Sequence, residues 1–329
     1  MPGGMTPAPA LVERFRADLA ALSAAEERIG VAVSGGPDSL ALLLLAAAAR
    51  PGLVEAATID HRLRPGARAE AGMVAALCAQ LGIPHEIVAL EWEEPPATAI
   101  QERAREARYA ALGAWAGRRG LHALATAHQA DDQAETLVMR LNRGAGVRGL
   151  AGMRPNSVIP GGQLPLVRPL LGWRRTELEG ICTAAGLEPA ADPSNTDETY
   201  ERVRIRHALD SASWLDPPAL ARSATHLAAA DDALGWVAEG LALARITDDK
   251  DGLQIDATGL PTELQRRLLL IAFARFHATE PRGPDLSRAI DALASGGTAT
   301  LSGLLLKGGQ SWRISQAPPR KTAISSDDL

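Results

Sequence analysis

The sequence predicts a doubly wound α/β fold, a parallel sheet followed by a smaller, mainly helical C-terminal domain. Three observations carry this expectation. In roughly the first 130 residues, short apolar runs alternate with helix-like segments, the pattern of parallel strands joined by crossover helices. The first apolar run leads directly into a glycine turn that opens a helix, Ser34-Gly35-Gly36-Pro37-Asp38-Ser39. The texture changes after Leu141 and again at Pro217-Pro218, which gives residues 1–22 as an N-terminal helical extension, 23–215 as the α/β domain and 216–329 as the C-terminal domain.

Strands are expected at 29–33, 54–59, 86–90 and 123–127, and helices at 39–49, 67–81 and 100–118. Pro51 and Gly82 supply stop signals for the first two helices. Ligands of such a fold sit at the carboxyl ends of the strands. The glycine- and proline-rich stretch 144–169 reads as a long functional loop or as disorder, and Arg148, Arg154 and Arg168, just after Arg143, favour the functional loop. A helix at 176–185 and a polar loop at 192–199 follow. Arg202, Arg204 and Arg206 alternate, so an extended chain would point all three the same way. Beyond Pro218 the sequence suggests a helix to about Arg245, another at 262–276, and strand-like pieces between 298 and 314.

With 329 residues and 46% hydrophobic content the chain can bury a full-sized core, which excludes wholesale disorder. The longest apolar run, 40–49, is far short of the roughly 20 residues that span a bilayer. The N-terminus has no basic region followed by an apolar stretch, so a cytoplasmic protein with no membrane partner is expected. Cys78 and Cys182 are too few for a disulfide framework and too far apart for a CxxC site, and read as packed thiols. A net charge of −5 confines nucleic-acid binding to a local basic patch. Of the 34 basic residues only Lys250, Lys307 and Lys321 are lysines, and arginine is the better residue for bidentate phosphate contacts and for stacking on bases. Codon usage would produce the same skew.

The segment Ser34 to Ser39 carries the strongest chemical signal. A strand, a glycine turn and a helix N-terminus gather backbone N–H groups and the positive end of the helix dipole at one point, which suits an anion. Ser34 and Ser39 add hydroxyl donors. Asp38 beside a phosphate makes sense where a cation such as Mg2+ bridges the two. No lysine follows the glycines, so this is not a Walker A loop, and the spacing is not GxGxxG. A plain glycine turn capped by serine and aspartate is the alternative.

A second constellation begins at His128, which ends the fourth strand. Asp131, Asp132 and Glu135 then occupy the first turns of a helix on one face. Crowded carboxylates need a cation, either Mg2+ or a substrate ammonium. The simpler alternative is a well-capped amphipathic helix whose Leu137, Val138 and Leu141 face the core. Arg105 and Arg108, three apart, can reach one phosphate or base together, or instead form a solvated face pairing with Glu102 and Glu106. His61 can merely cap the second strand. His85, His122, His207, His226 and His277 are scattered singly and read as structural.

The hexapeptide 34–39 resembles the SGGxDS signature of the PP-loop ATP pyrophosphatases, a class with an adenine nucleotide alpha hydrolase-like fold. Further segments resemble one family within it, the tRNA(Ile)-lysidine synthetases, in that family's order. They are Asp60-His61-Arg62-Leu63-Arg64, the run from Ala104 to Tyr109, the run from Ala125 to Thr136, Arg168-Pro169-Leu170-Leu171, and Asp192-Pro193-Ser194-Asn195 followed by the segment from Arg202 to Arg206. The resemblance implies that Ser34, Gly35, Gly36, Pro37, Asp38 and Ser39 grip the phosphates of ATP, that Ile59 lies near its adenosine, and that Asp38 holds Mg2+. It implies catalytic roles among Asp38, Arg105, His128, Asp131, Asp132, Glu135 and Arg206. The implied reaction joins free L-lysine to C2 of the wobble cytidine of the CAU-anticodon isoleucine tRNA, through an adenylated intermediate, with the C-terminal domain contacting tRNA. Two positions depart from the family's pattern: Gln129, where a second histidine is common, and Val203, where asparagine is common; neither is given a catalytic role. A PP-loop tRNA thiolase, which Cys78 and Cys182 do not equip convincingly, and a non-catalytic ATP-binding protein are the competing readings. The oligomeric state is open, a homodimer included.

Overall fold

The computed structural model describes residues 4–61, 67–90, 100–190 and 198–318, with the side chains of Ala67, Ile100, Gln101 and Glu102 excepted. Arg62-Leu63-Arg64 and Asp192-Pro193-Ser194-Asn195 therefore lie outside the described residues, as does the side chain of Glu102. The chain divides into two compact units, residues 1–228 and 229–329.

In the first unit, β1 (Ile29–Ala32), β2 (Val54–Asp60), β3 (His85–Ala89), β4 (Ala123–Ala125) and β6 (Pro165–Val167) run parallel, and β5 (Asn156–Val158) is antiparallel at one edge. The strand order is β3-β2-β1-β4-β6-β5. Ile29 pairs with Val54 on one side and Ala123 on the other, so β1 is the strand at which the order reverses. At such a switch point the crossovers leave to opposite faces and open a crevice at the strand ends. The buried residues follow this arrangement. Helices α1 (Pro9–Ala20), α2 (Pro37–Ala49), α3 (Ala67–Leu81) and α7 (Arg175–Ala184) share one core with the sheet, whereas α4 (Ile100–Arg119) buries Tyr109, Leu112 and Trp115 in another.

Helix α2 is apolar all round, and every residue from Leu40 to Ala46 is fully buried. Each such leucine contributes about 1.5–3 kcal/mol, so the helix that follows the glycine turn is held rigidly. Phe15 and Leu19 of α1 lie in this core, which integrates the N-terminal helix with the α/β layers. Gly30 is required by packing: a Cβ there would stand 2.6 Å from the Trp115 ring.

The stretch 144–169 is not a bare loop. It forms α6 (Val147–Leu150) and the β5–β6 pair, and it is tied to α5 (Ala130–Asn142). Gln133 donates to the Met153 carbonyl at 2.9 Å and accepts from its N–H at 2.7 Å, while Arg140 donates to the carbonyls of Gly149 and Gly152. Two strands of three residues, the second opening on Pro165, leave no apolar period to read. The segment 202–206 also differs from expectation: it lies in α8 (Glu201–Ser211), packed on α5 through Ile205 and Leu209 against Ala134.

Helix α9 (Pro217–Arg245) contains the division between the units. The second unit sets α10 (Thr262–Arg275) and α11 (Gly283–Ala294) with a five-stranded antiparallel sheet, ordered β7 (Ile246–Asp249), β8 (Gly252–Ile255), β11 (Trp312–Gln316), β10 (Leu304–Lys307), β9 (Thr298–Leu301). Its core joins Leu268, Phe273, Ile290 and Leu293 to Ile255, Leu306, Trp312 and Ile314. Strands β7 and β8 were not foreseen, since the polar run Asp248–Asp251 obscures them. Among the described residues no helix is long and apolar enough to cross a membrane.

Candidate active site

The glycine turn leaves β1 and enters α2 at the switch point. Gly35 has φ +88°, a left-handed conformation that a side chain would strain, and its carbonyl accepts from Ala190 N at 3.0 Å. Ser39 Oγ accepts from Ser34 N at 3.1 Å, lies 3.2 Å from Ser34 Oγ and donates to the Gly36 carbonyl at 2.9 Å. The hydroxyls thus lock the turn from inside. Gly36 is the N-cap of α2 and no side chain caps that end, so the first-turn N–H groups are left for an external acceptor.

Asp38 stands in that first turn. Its Oδ1 is buried with no hydrogen-bond partner, and burial, reinforced by the charge of Asp132, pushes its carboxyl up to about 7. A divalent cation between Asp38 and Asp132 would relieve both effects, so these residues fit Mg2+. Among the described residues no group of three or more His, Cys, Asp or Glu side chains forms a metal cage; the remaining ligands would have to come from phosphate and water. Ile59 and Asp60, both half-buried, end β2 beside β1. Cys78 and Cys182 are buried free thiols, and Cys182 Sγ donates to the Pro37 carbonyl at 3.3 Å.

One strand away, β4 ends in Thr126, His128 and the N-terminus of α5. Gln129 caps that helix: its Oε1 accepts from Asp131 N at 2.5 Å, while Asp132 Oδ2 accepts from Gln129 N at 3.1 Å, a reciprocal capping box. The three acids expected to meet an external cation are instead met largely by the chain's own arginines. Asp131 accepts from Arg174 Nη2 at 3.0 Å and from Arg175 N at 2.9 Å. Glu135, with only 1% of its side chain exposed, accepts from Arg175 at 2.8 Å, Arg202 at 2.6 Å and Arg206 at 2.8 Å. Arg202 also reaches Asp132 at 3.0 Å. Burial alone would raise the Glu135 carboxyl, but the bonds from Arg206, Arg202 and Arg175 outweigh it and hold the group below its ordinary value.

Arg202 and Arg206 are one helical turn apart and share a face, while Arg204 turns away to the carbonyls of Glu198 and Thr199. The extended alternation expected for this trio is therefore corrected. Arg174 and Arg175 were missed by sequence reasoning. Their one local signal is the paired basic residues directly before the helix with Glu177 in its first turn; nothing in it points to acids about 40 residues earlier.

His128 Nδ1 lies 3.0 Å from Thr126 Oγ1. Burial, with Arg168, Arg105, Arg202 and Arg108 around it, pushes the imidazole down to about 3. Exposed Arg105 and half-buried Arg108 lie 5.0 and 5.4 Å from the centroid of the buried Tyr109 ring, a cation–π arrangement; the pairing with Glu102 considered above falls outside the described residues. Arg168, 7% exposed, donates to the Arg154 carbonyl at 2.7 Å and to Ser157 Oγ at 3.0 Å, and its Nε has no partner. The crevice thus has a helix N-terminus with a carboxylate on one wall and a neutral histidine among four guanidiniums on the other, which suits a polyanion with a second, electron-rich group beside it.

This fold and site define a PP-loop protein, and residues 10–212 match the family model of the PP-loop domain. The tRNA(Ile)-lysidine synthase of Novosphingobium aromaticivorans is 51% identical over 94% of this chain and 94% of its own length. That of Zymomonas mobilis is 43% identical over 90% and 91%. The chain therefore belongs to the tRNA(Ile)-lysidine synthase family. Among solved structures, the U34-tRNA thiolase NcsA from Methanococcus maripaludis superposes with a TM-score of 0.54 at 16% identity, covering 66% of this chain and 78% of that one, a likeness of fold alone.

Proposed function

We propose that this chain ligates free L-lysine to C2 of the wobble cytidine in the CAU anticodon of isoleucine tRNA, using ATP, in the cytoplasm. The observation that carries the proposal is the meeting of the Ser34–Ser39 turn with the His128 and arginine group at one switch point. In the first step the cytidine O2 attacks the α-phosphorus of ATP and pyrophosphate leaves. In the second the lysine ε-nitrogen attacks C2, AMP leaves with the O2 atom, and the amine loses a proton.

The chain's task is to bring three anionic or polar partners together and stabilise developing charge. Ser34, Gly35, Gly36, Pro37 and Ser39 hold the β and γ phosphates, and Ile59 packs near the adenosine. Asp38, with Asp132, holds Mg2+, which when bound neutralises the triphosphate. Arg105 and its neighbours receive the tRNA backbone or the unstacked cytosine. A base whose pKa is near 3 takes no proton from an ammonium, so His128 acts as a hydrogen-bond partner of the substrate. Asp131 and Glu135 act through Arg174, Arg175, Arg202 and Arg206, holding those guanidiniums at the crevice. Asp132, which accepts from Arg202 and from Gln129 N, also carries the charge that reaches Asp38, so it joins Asp38 at the metal.

Incorporation of radiolabelled lysine under Mg-ATP, into isoleucine tRNA with the CAU anticodon but not into the methionine tRNA that shares it, is the expected result. Pyrophosphate release without lysine transfer to either tRNA would overturn it.

A further inference from the structure

Gln129 is wholly buried, and its amide is only half used. Oε1 is fixed as the acceptor because it faces the Asp131 N–H at 2.5 Å. That assignment turns Nε2 the other way, where it has no hydrogen-bond partner. A buried donor without an acceptor costs free energy that a folded chain seldom tolerates. Beside Nε2 is Asp38, close enough for the Gln129 side chain to draw the Asp38 carboxyl down, yet Asp38 Oδ1 and Gln129 Nε2 each remain without a partner at full hydrogen-bond geometry. A donor and a carboxylate oxygen, neither fully satisfied, thus stand side by side at the first turn of α2, where the Ser34–Ser39 turn ends. Together they match a metal–phosphate unit, which presents a cation to a carboxylate and an anionic oxygen to an N–H.

We infer that Gln129 is a nucleotide-binding residue: its Nε2 donates to a phosphate oxygen of ATP while its Oε1 caps α5, so that one side chain links phosphate binding to the start of the acidic helix. This rests on the ATP reading of the site above. It also gives a use to the one position in the run Ala125–Thr136 that departs from the family's histidine. Imidazole likewise offers an acceptor on one ring nitrogen and a donor on the other, so the two residue types answer the same demand.

The test separates the cap from the donor. Gln129→Ser keeps a good N-cap and stays neutral but lacks the long donor arm; Gln129→His keeps both functions. ATP and adenosine affinities of the full chain are measured by calorimetry, with Mg2+ and with EDTA, alongside melting curves without ligand. The serine variant is expected to bind ATP about 10- to 100-fold more weakly in both conditions, the size of one charge-assisted hydrogen bond. Its adenosine affinity is expected to be unchanged, and its apo melting temperature to stay within a few degrees of wild type. The histidine variant should stay within about threefold of wild type for ATP, a tolerance well below one hydrogen bond. Equal ATP affinity in the serine variant and wild type overturns the inference, as does an equal loss for adenosine, which would mark Gln129 as structural. A wild type that binds adenosine but gains nothing from phosphates overturns the ATP reading itself, and is distinguishable from both.

Discussion

Glu135 Oε2 accepts a 2.6 Å hydrogen bond from Arg202 Nε, joining α5 to α8 across 67 residues of sequence. With Arg175 and Arg206 on its other oxygen, Glu135 is the buried anion around which three guanidiniums are set. Glu135→Gln keeps the shape and removes the charge, leaving Arg202 with Asp132 alone and taking this charged partner from Arg175 and Arg206. Breaking a buried pair costs about 3–5 kcal/mol; with Arg202 41% exposed, solvent screening reduces this to roughly 2–3 kcal/mol. Urea denaturation of the variant should show that loss with an unchanged m-value, together with reduced lysine transfer.

The same pair fixes a pH dependence. The folded Glu135 carboxyl lies below its ordinary 4.5, so its stabilisation is fully present above that value and is lost as pH falls through the folded one. The stability difference between wild type and Glu135→Gln should therefore be constant well above 4.5 and shrink as the pH falls below it. A gap that persists undiminished at the acid end would mean that the contribution is packing rather than charge.

Asp38 has the opposite sign. Its carboxyl is held up at about 7 by burial first and Asp132 second, so the unfolded chain releases that proton before the folded one does. Stability without metal then falls as pH rises from about 4 to 7, and Asp38→Asn should melt higher than wild type at pH 8, by roughly 1–3 kcal/mol. The advantage should vanish near pH 4. Mg2+ should raise the wild-type melting temperature and leave the variant unmoved, which differential scanning calorimetry can read in one series.

Arg204 and Arg206 are neighbours in sequence pattern and strangers in space. Arg206→Lys, which cannot reproduce the Nε bond to Glu135, should lower kcat for lysine transfer by about 10- to 100-fold. Arg204→Ala, which gives up bonds to two loop carbonyls, should leave kcat within about threefold. Equal losses in the two would restore the extended arrangement that the alternating sequence suggests.

For His128, an imidazole pushed down to about 3 is neutral throughout the working range. The pH profile of pyrophosphate release should carry no inflection near 6.5 that His128→Asn removes. An inflection abolished by that substitution would show that bound substrate raises the group into use.

What the sequence determined by itself is local. The alternation of apolar runs with helical periods places β1 to β4 and α2 to α4 within a few residues, because burial period and turn chemistry are read over single elements. The turn at Gly35 was legible for the same reason: glycine at a left-handed position, a serine on either side and a helix beginning at once are consecutive residues. The acids of α5 were legible as a group, but their partners were not. Arg174, Arg175, Arg202 and Arg206 come from 40 to 71 residues away, and any arginine on the chain is an equal candidate until the fold brings it near. Likewise 144–169 looked loop-like because its anchors are side chains of α5 bonding its carbonyls, Gln133 and Arg140. Tertiary structure alone decided which charges meet and which polar atoms are left without a partner, because pairing energy depends on distance and burial, and neither is a property of the residue alone.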